Sequence, residues 1–221
     1  MSSGNVKHDL FAQFARIGKA LSNPNRLEFI EYLAQGERSV DSLAQVSGQS
    51  IANTSQHLQQ LRLAGLVTTR KEGQRVFYRL SGDDVLLVLN SLRTVAERHL
   101  TEVNHLVSQY LDTKDKLEPV LAEDLLARVR SGEVTVLDVR PRDEFAAGHL
   151  SGAINIPLNE LEAHLSSFSP DQEVVAYCRG PYCVLSYDAV ARLREYGIQA
   201  RRLKDGYPEW KIAGLPVETP S

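Results

Sequence analysis

The sequence predicts a multidomain protein: a mainly-α half carrying a helix-turn-helix and a β-hairpin, followed by an α/β half built on a parallel sheet. Three observations carry this expectation. At 221 residues the chain is long enough for two domains of about 100 residues each. Over the first 112 residues apolar side chains recur three or four apart, whereas beyond them short β-like runs alternate with helical ones. Between the two patterns, Thr113-Lys114-Asp115-Lys116 is free of apolar side chains, so 113–118 reads as a linker. The domains expected are therefore 1–112 and 119–221.

Each element has its own signal. Leu10, Phe11, Phe14, Ile17 and Leu21 share a helical spacing over 9–21. Asn23-Pro24 is a helix start, with proline at the first position, where its missing N–H costs nothing. That helix runs through Leu27, Ile30 and Leu33 to Gly36. A short helix over 39–46 ends at Ser47-Gly48, and another over 50–64 is closed by Gly65. Leu66–Arg70 and Arg75–Leu80, joined by Lys71-Glu72-Gly73-Gln74, read as a hairpin. Ser81 and Asp84 have the spacing of a capping box, ahead of a single helix of nearly 30 residues with apolar positions from Val85 to Leu111. Such a stripe exceeds what its own domain can cover, which favours a dimer interface over a spacer helix. In the second half, Val134–Val139, Ala153–Ile156, Glu173–Tyr177 and Gln199–Leu203 are strand candidates. Helical segments near 121–130, 158–166 and 184–196 separate them, which implies a parallel sheet.

Composition narrows the function classes. With 43% hydrophobic and 24% charged residues the chain looks like an ordinary globular protein. No apolar run approaches the roughly 18 residues of a membrane span, and Met1–Lys7 lacks the apolar core of a signal peptide, so a cytoplasmic location without membrane contact is expected. The net charge of −3 argues against nucleic acid as a partner, but the average hides a pattern. Residues 1–116 carry 14 Lys/Arg against 12 Asp/Glu, net +2, and residues 117–221 carry 11 against 16, net −5. Within 49–80 stand five basic residues (Arg62, Arg70, Lys71, Arg75, Arg79) and one acid, Glu72. Such a local basic surface matters more for DNA than whole-chain charge. Cys178 and Cys183, the only cysteines, are too few for a secreted disulfide framework and read as chemistry instead.

Helix, tight turn, helix and hairpin wing in this order make a winged helix-turn-helix, whose second helix enters the major groove. Ser50, Asn53, Thr54, Ser55 and Gln56, with Gln59 a turn later, offer short polar side chains suited to base edges. In the wing, Arg70, Lys71, Gln74 and Arg75 can reach phosphates or a minor groove. His57 and Arg62 complete the expected DNA-facing set.

The stretch from Asn53 through Leu61-Arg62-Leu63-Ala64-Gly65-Leu66 to Val67, and then Arg70-Lys71-Glu72-Gly73-Gln74-Arg75-Val76-Phe77-Tyr78-Arg79-Leu80, resembles the ArsR/SmtB family of bacterial repressors over about 9–111. The resemblance implies a homodimer, paired through its first and last helices, on an inverted-repeat operator in double-stranded DNA. It also implies that His57 supports the fold or touches the DNA backbone. Many members of that family sense metals. Here Ser39–Gln45 holds no cysteine, Leu86 stands where a histidine would follow Asp84, and His99 and His105 fall on different helical faces. No metal site and no cofactor is expected.

In the second half, Glu173–Tyr177 reads as a buried strand ending at Cys178. A loop through Arg179-Gly180-Pro181-Tyr182 follows, and a helix starts near Cys183. A sulfur there faces a helix N-terminus and backbone N–H groups, which favour the thiolate. Leu137-Asp138-Val139-Arg140, Glu144-Phe145, Gly148 through Pro157, the cysteine loop and Gly206-Tyr207-Pro208-Glu209-Trp210 together resemble the rhodanese family over about 117–218. That resemblance implies that Cys178 accepts a sulfane sulfur as a persulfide, cradled by the loop of Arg179, Gly180, Pro181, Tyr182 and Cys183, with Pro181 donating no N–H. Related phosphatases carry an arginine six residues after the cysteine, where Val184 stands here. Arg179 is either a charge that favours an anionic donor such as thiosulfate or a solvated loop charge. Asp138 and Arg140 are expected to hold the loop and strand ends by hydrogen bonds. Cys183 is either a resolving thiol for a Cys178 persulfide or sulfenate, or a small apolar residue at the helix start.

The halves combine into a transcriptional regulator, expected to be a repressor, whose input is sulfur transfer from a thiosulfate or persulfide donor to Cys178. The alternative is a sulfurtransferase that carries a DNA-binding domain for localisation or autoregulation.

Overall fold

The structure, a computed structural model, describes residues 3–111, 114–115, 117–169 and 172–219, with side chains from residue 5 onward. The chain divides into two compact units, Met1–Arg93 and Thr94–Ser221. This division lies within a helix, ahead of the stretch expected as a linker. Of that stretch, residues 113 and 116 lie outside the described residues.

The first unit opens with α1 (Ser3–Leu21). Its Leu10, Phe11, Phe14 and Ile17 are exposed, and among its described side chains only Ala20 and Leu21 at its end are buried. In α2 (Pro24–Ala34) the Asn23 side chain accepts from Arg26 N at 3.3 Å, and the helix buries Phe29, Ile30, Tyr32 and Leu33. A two-residue strand with no sequence signal, β1 (Arg38–Ser39), pairs with the wing, Arg38 opposite Tyr78. Ser39 then caps α3 (Val40–Ser47), which ends at left-handed Gly48, φ 67°. Ser50 caps α4 (Ile51–Leu63), whose Leu58 and Leu61 are fully buried. Burying each such leucine stabilises the unit by about 1.5–3 kcal/mol.

The wing is β2 (Val67–Glu72) and β3 (Arg75–Leu80), antiparallel, with Glu72 opposite Arg75. The strands run further than the sequence suggests, so the connection is only Gly73-Gln74. Gly73, at φ 59°, supplies the positive dihedral that a two-residue hairpin needs at its first position.

The expected single helix of nearly 30 residues is broken. It starts at Asp84, with Asp83 O accepting from Leu86 and Leu87, rather than at a Ser81 cap. α5 (Asp84–His99) stops where Leu100 turns extended, φ −109° and ψ 104°, and α6 (Thr101–Leu106) follows, then one π turn over Val107–Leu111. The carbonyl of Glu97, freed at the end of α5, accepts instead from Asn104 Nδ2 at 3.0 Å.

The second unit is built on a parallel sheet in the order β6-β4-β7-β8, from β4 (Val134–Asp138), β6 (Ile154–Asn155), β7 (Glu173–Tyr177) and β8 (Ala200–Arg202). Alternate residues of β7 enter different cores. Val174 and Ala176 pack with Leu137, Ala189, Val190 and Leu193, while Val175 and Tyr177 pack with Leu125, Val136 and Trp210. Both faces are thus covered, as a parallel sheet requires. The covering helices are α7 (Ala122–Arg130), α8 (Arg142–Ala147), α9 (Leu161–His164), α10 (Val184–Glu195) and α11 (Tyr207–Ile212). A small antiparallel pair, β5 (His149–Leu150) with β9 (Val217–Glu218), had no signal in the sequence.

The charged stretch before α7 is tied down where it is described. Asp115 is buried, with Oδ1 2.8 Å from Arg194 Nη1 and Oδ2 3.3 Å from Arg202 Nε, the latter without hydrogen-bond alignment. Lys114 Nζ lies 2.5 Å from Asp188. Among the described residues no helix is long and apolar enough to cross a membrane.

Candidate functional site

β7 runs between β4 and β8 and delivers Cys178 at the carboxyl end of the sheet, the edge where parallel α/β folds gather their sites. The loop after it is pinned on three sides. Cys183 N donates to Gly180 O at 3.1 Å, closing a tight turn, and Tyr207 N donates to Cys178 O at 3.1 Å. Gly206 lies flat against the turn, since a Cβ there would stand 2.4 Å from Arg179 C and Gly180 N. Only glycine permits that approach.

Cys183 is the N-cap of α10 and lends no side-chain bond to it. Its sulfur is joined to that of Cys178, 2.10 Å away, across a Cα–Cα distance of 6.1 Å. Cys178 is 1% and Cys183 8% exposed. Neither sulfur is a free thiol in this state.

Arg179 is neither a solvated loop charge nor a free cation beside the sulfur. Its Nε lies 3.0 Å from both oxygens of Glu144 and its Nη2 2.7 Å from Oε1, and Glu144 is 1% exposed. The pair turns the guanidinium towards α8. Nothing in periodicity or local spacing couples positions 144 and 179.

Asp138 and Arg140 are both fully buried and face each other, with Arg140 Nη2 2.6 Å from Asp138 Oδ2. Arg140 Nη2 also donates to Gly148 O at 2.8 Å, and the guanidinium covers the Tyr207 ring at 4.5 Å from its centroid. Burial works against this cation, but hydrogen bonding and attraction to Asp138 raise its pKa all the same. Tyr177 is pushed well above the usual phenol range, first by burial and then by the Asp138 charge. Its hydroxyl accepts from Leu150 N at 3.1 Å. Tyr182, in the loop, donates its hydroxyl to the Glu97 carboxylate within the second unit. Among the described residues no group of three or more His, Cys, Asp or Glu could hold a metal ion.

In the first unit Asn53, Gln56, Gln59 and Arg62 are exposed along α4, Ser50 is exposed at its start, and Ser55 and His57 are half-buried. Asn53 Nδ2 donates to Gln49 Oε1 at 2.6 Å. Thr54 corrects the expectation of base contact. It is 0% exposed, facing the core, and its hydroxyl has no hydrogen-bond partner among the described residues. His57 Nε2 lies 3.4 Å from Asn25 Nδ2, and its ring meets Phe29 edge-on. Burial, then the nearby Arg26 charge, lowers its pKa.

In the wing, Lys71, Gln74 and Arg75 are exposed. Arg70 is exposed too, but its guanidinium is shared between Glu37 at 2.8 Å and Glu72 at 2.5 Å and covers the Phe77 ring. Two carboxylates within contact leave Arg70 less to offer a phosphate than the sequence implies.

Comparison with known proteins agrees with this two-part architecture. Residues 21–70 match the helix-turn-helix domain family and residues 121–213 the rhodanese-like domain family. Over 101 residues, 45% of this chain and 92% of that protein, the chain is 32% identical to a sulfurtransferase of Allochromatium vinosum. A solution structure of a homodimeric winged helix-turn-helix DNA-binding domain, Mb0332 of Mycobacterium bovis, is 42% identical with a TM-score of 0.42, covering 45% of this chain and 91% of that one. Over 212 residues, 96% of this chain and 93% of that protein, it is 44% identical to the HTH-type transcriptional regulator Rv0324 of Mycobacterium tuberculosis. The chain belongs to this family of HTH-type transcriptional regulators, with a helix-turn-helix domain followed by a rhodanese-like domain.

Proposed function

We propose that this regulator is a cytoplasmic, ArsR-type repressor that binds an inverted-repeat operator as a homodimer and reads sulfane sulfur through Cys178. The disulfide between Cys178 and Cys183 carries the reading, because it joins the two thiols that a sulfur relay needs. In the reduced protein the Cys178 thiolate attacks the outer sulfur of a persulfide donor, RSSH. A new S–S bond forms, RS⁻ departs, and Cys178 holds the persulfide. The Cys183 thiolate then attacks Cys178 Sγ and expels HS⁻, which leaves the disulfide. The donor sulfur is reduced and the two thiols are oxidised, so no further oxidant is needed.

The amides of Arg179, Gly180 and Tyr182 and the start of α10 would favour the anionic sulfur of both steps, while the Cys183 amide closes the turn onto Gly180 O. Asp138 and Arg140 act as supports that fix the strand end and the Gly148 turn. The Tyr182–Glu97 bond ties the loop to the end of α5 within the second unit. The exposed Leu10, Phe11 and Phe14 of α1 and Leu92 and Val95 of α5 support pairing with a second copy. Asn53, Ser55, Gln56 and Gln59 would meet base edges, with Ser50 at the helix start. Arg62, Lys71, Gln74 and Arg75, with a smaller share from His57 and Arg70, would meet the backbone.

A typical coupling of about 1–3 kcal/mol between modification and DNA binding changes operator affinity roughly 5- to 150-fold. The test selects an operator from a random duplex pool and measures its affinity before and after inorganic polysulfide. Wild type should shift within that range and Cys178→Ser should not. Equal affinities in all four conditions reject sulfur sensing. A second reading, sulfurtransferase activity, draws on the likeness to the Allochromatium vinosum enzyme. Cys178-dependent turnover of thiosulfate with unchanged operator affinity would favour it.

A further inference from the structure

We infer that the cavity between α1, the start of α2 and α4 is a binding site for a tetrahedral oxyanion of the phosphate class. The cavity, about 480 Å³, is lined by Arg16, Lys19, Arg26, Gln56, His57 and Gln60, and no acidic side chain among the described residues borders it. Three cations around one space repel one another, a cost that an entering anion relieves.

Two of the cations are held in place by carbonyl oxygens. Arg16 Nη2 donates to Leu63 O at 3.2 Å and Nη1 to Gln13 Oε1 at 2.8 Å. Arg26 Nη2 donates to Lys19 O at 2.9 Å, and its Nε to Ala20 O. These bonds consume only part of each guanidinium. Arg26 Nη1 and the Lys19 ammonium have no hydrogen-bond or ion-pair partner among the described residues.

The cations come from α1 and the first turn of α2, and the Gln56 and Gln60 amides come from α4 opposite. Donors on several sides suit an anion with oxygens pointing in several directions, rather than a planar carboxylate. His57, whose pKa is lowered, brings a neutral ring to the wall and no competing negative charge.

The oxyanion has two sources. Gln60 lies on the exposed face of α4, so it can be a phosphodiester of the bound duplex, which rests on the DNA-binding reading above. It can also be a free phosphorylated small molecule, which does not.

The full-length protein is titrated with inorganic phosphate and pyrophosphate at constant ionic strength, by calorimetry, and with the selected operator over a range of salt. Lys19→Ala, an exposed and unpartnered position, and Arg16→Ala are compared with wild type after an unfolding curve shows each to be folded. Pyrophosphate binding weakened about tenfold in both variants, the loss expected from one charge-assisted hydrogen bond, assigns the free source. Absence of anion binding without DNA, together with a weaker operator complex and a salt slope shallower by roughly 0.9 per lost contact, assigns the backbone source. Pyrophosphate binding that depends on Lys19 in a protein that binds no duplex rejects the DNA reading and keeps the site. No anion uptake by wild type, and operator affinity and slope untouched by either variant, overturn the proposal.

Discussion

Arg179 Nη2 lies 2.7 Å from Glu144 Oε1, so the residue that follows the sulfur-bearing cysteine is anchored to α8 rather than to solvent. Glu144→Gln keeps the shape and removes the charge, leaving a guanidinium that is 11% exposed without its counterion. Breaking such a pair costs about 3 kcal/mol. Urea unfolding of the full chain measures it. A loss below about 0.5 kcal/mol, the level of an ordinary exposed pair, would contradict the anchoring.

Gly206 is the second restraint on the loop. In Gly206→Ala the new Cβ would stand 2.4 Å from backbone atoms of Arg179 and Gly180, neither of which is a flexible side-chain end. The turn must shift, at a cost of about 1–3 kcal/mol. Alkylation of Cys178 in the reduced protein should change in rate, because the amides around the sulfur move with the turn. A rate and a melting temperature both equal to wild type would show that the turn leaves room for a Cβ at this position.

Thr54 offers a test with the opposite sign. Its buried hydroxyl lacks a partner, so Thr54→Val removes an unsatisfied group and is expected to stabilise the protein by about 1 kcal/mol. Operator affinity should stay unchanged, whereas Asn53→Ala on the exposed face should weaken it by about 1–3 kcal/mol. Loss of affinity in Thr54→Val would restore this residue to the DNA-facing set.

Acid should expose the contribution of Glu173. Burial alone would raise its pKa, yet hydrogen bonds from Arg201 and Arg128 hold it below the ordinary glutamate value of 4.5. A depressed carboxyl pKa stabilises the fold above the ordinary value, and that stability fades as pH falls through the folded-state value. The gap in melting temperature between wild type and Glu173→Gln should therefore be full at pH 6 to 7 and shrink below about pH 4.5. A gap that stays constant with pH would remove the ion pairs as its cause.

Phe14, 60% exposed on α1, tests the pairing of two copies. Phe14→Glu should turn a dimer into a monomer in light scattering and lower operator affinity by more than tenfold. An unchanged mass would move the interface elsewhere.

Much of the architecture was readable because capping and periodicity act locally. Helices were expected to start at Asn23, Ser39 and Ser50, and each of these residues is the N-cap of the helix that follows, while Gly48 ends one. The two-residue strands β1, β5 and β9 were invisible, since two residues carry no alternation. The break at Leu100 escaped because apolar spacing runs on across it. Thr54 was misread because polarity stood in for exposure, and only the rotation of α4 against the core reveals that it points inward. The cysteine loop was legible as strand, turn and helix start. Its anchoring by Glu144 and Gly206 was not, because both contacts join residues more than 25 positions apart, and their pairing depends on the tertiary fold.

The buried Asp115 bears on how the chain can be cut for separate study. Arg194 and Arg202 both direct cationic groups at this one carboxylate, and the Arg202 guanidinium carbon also stands 3.9 Å from the centre of the Tyr187 ring. A C-terminal fragment that starts at residue 119 discards the acid and leaves both guanidiniums without this counterion, Arg202 with its side chain only 9% exposed. A fragment opening before residue 114 is a few residues longer and retains the acid, together with the Lys114–Asp188 clasp.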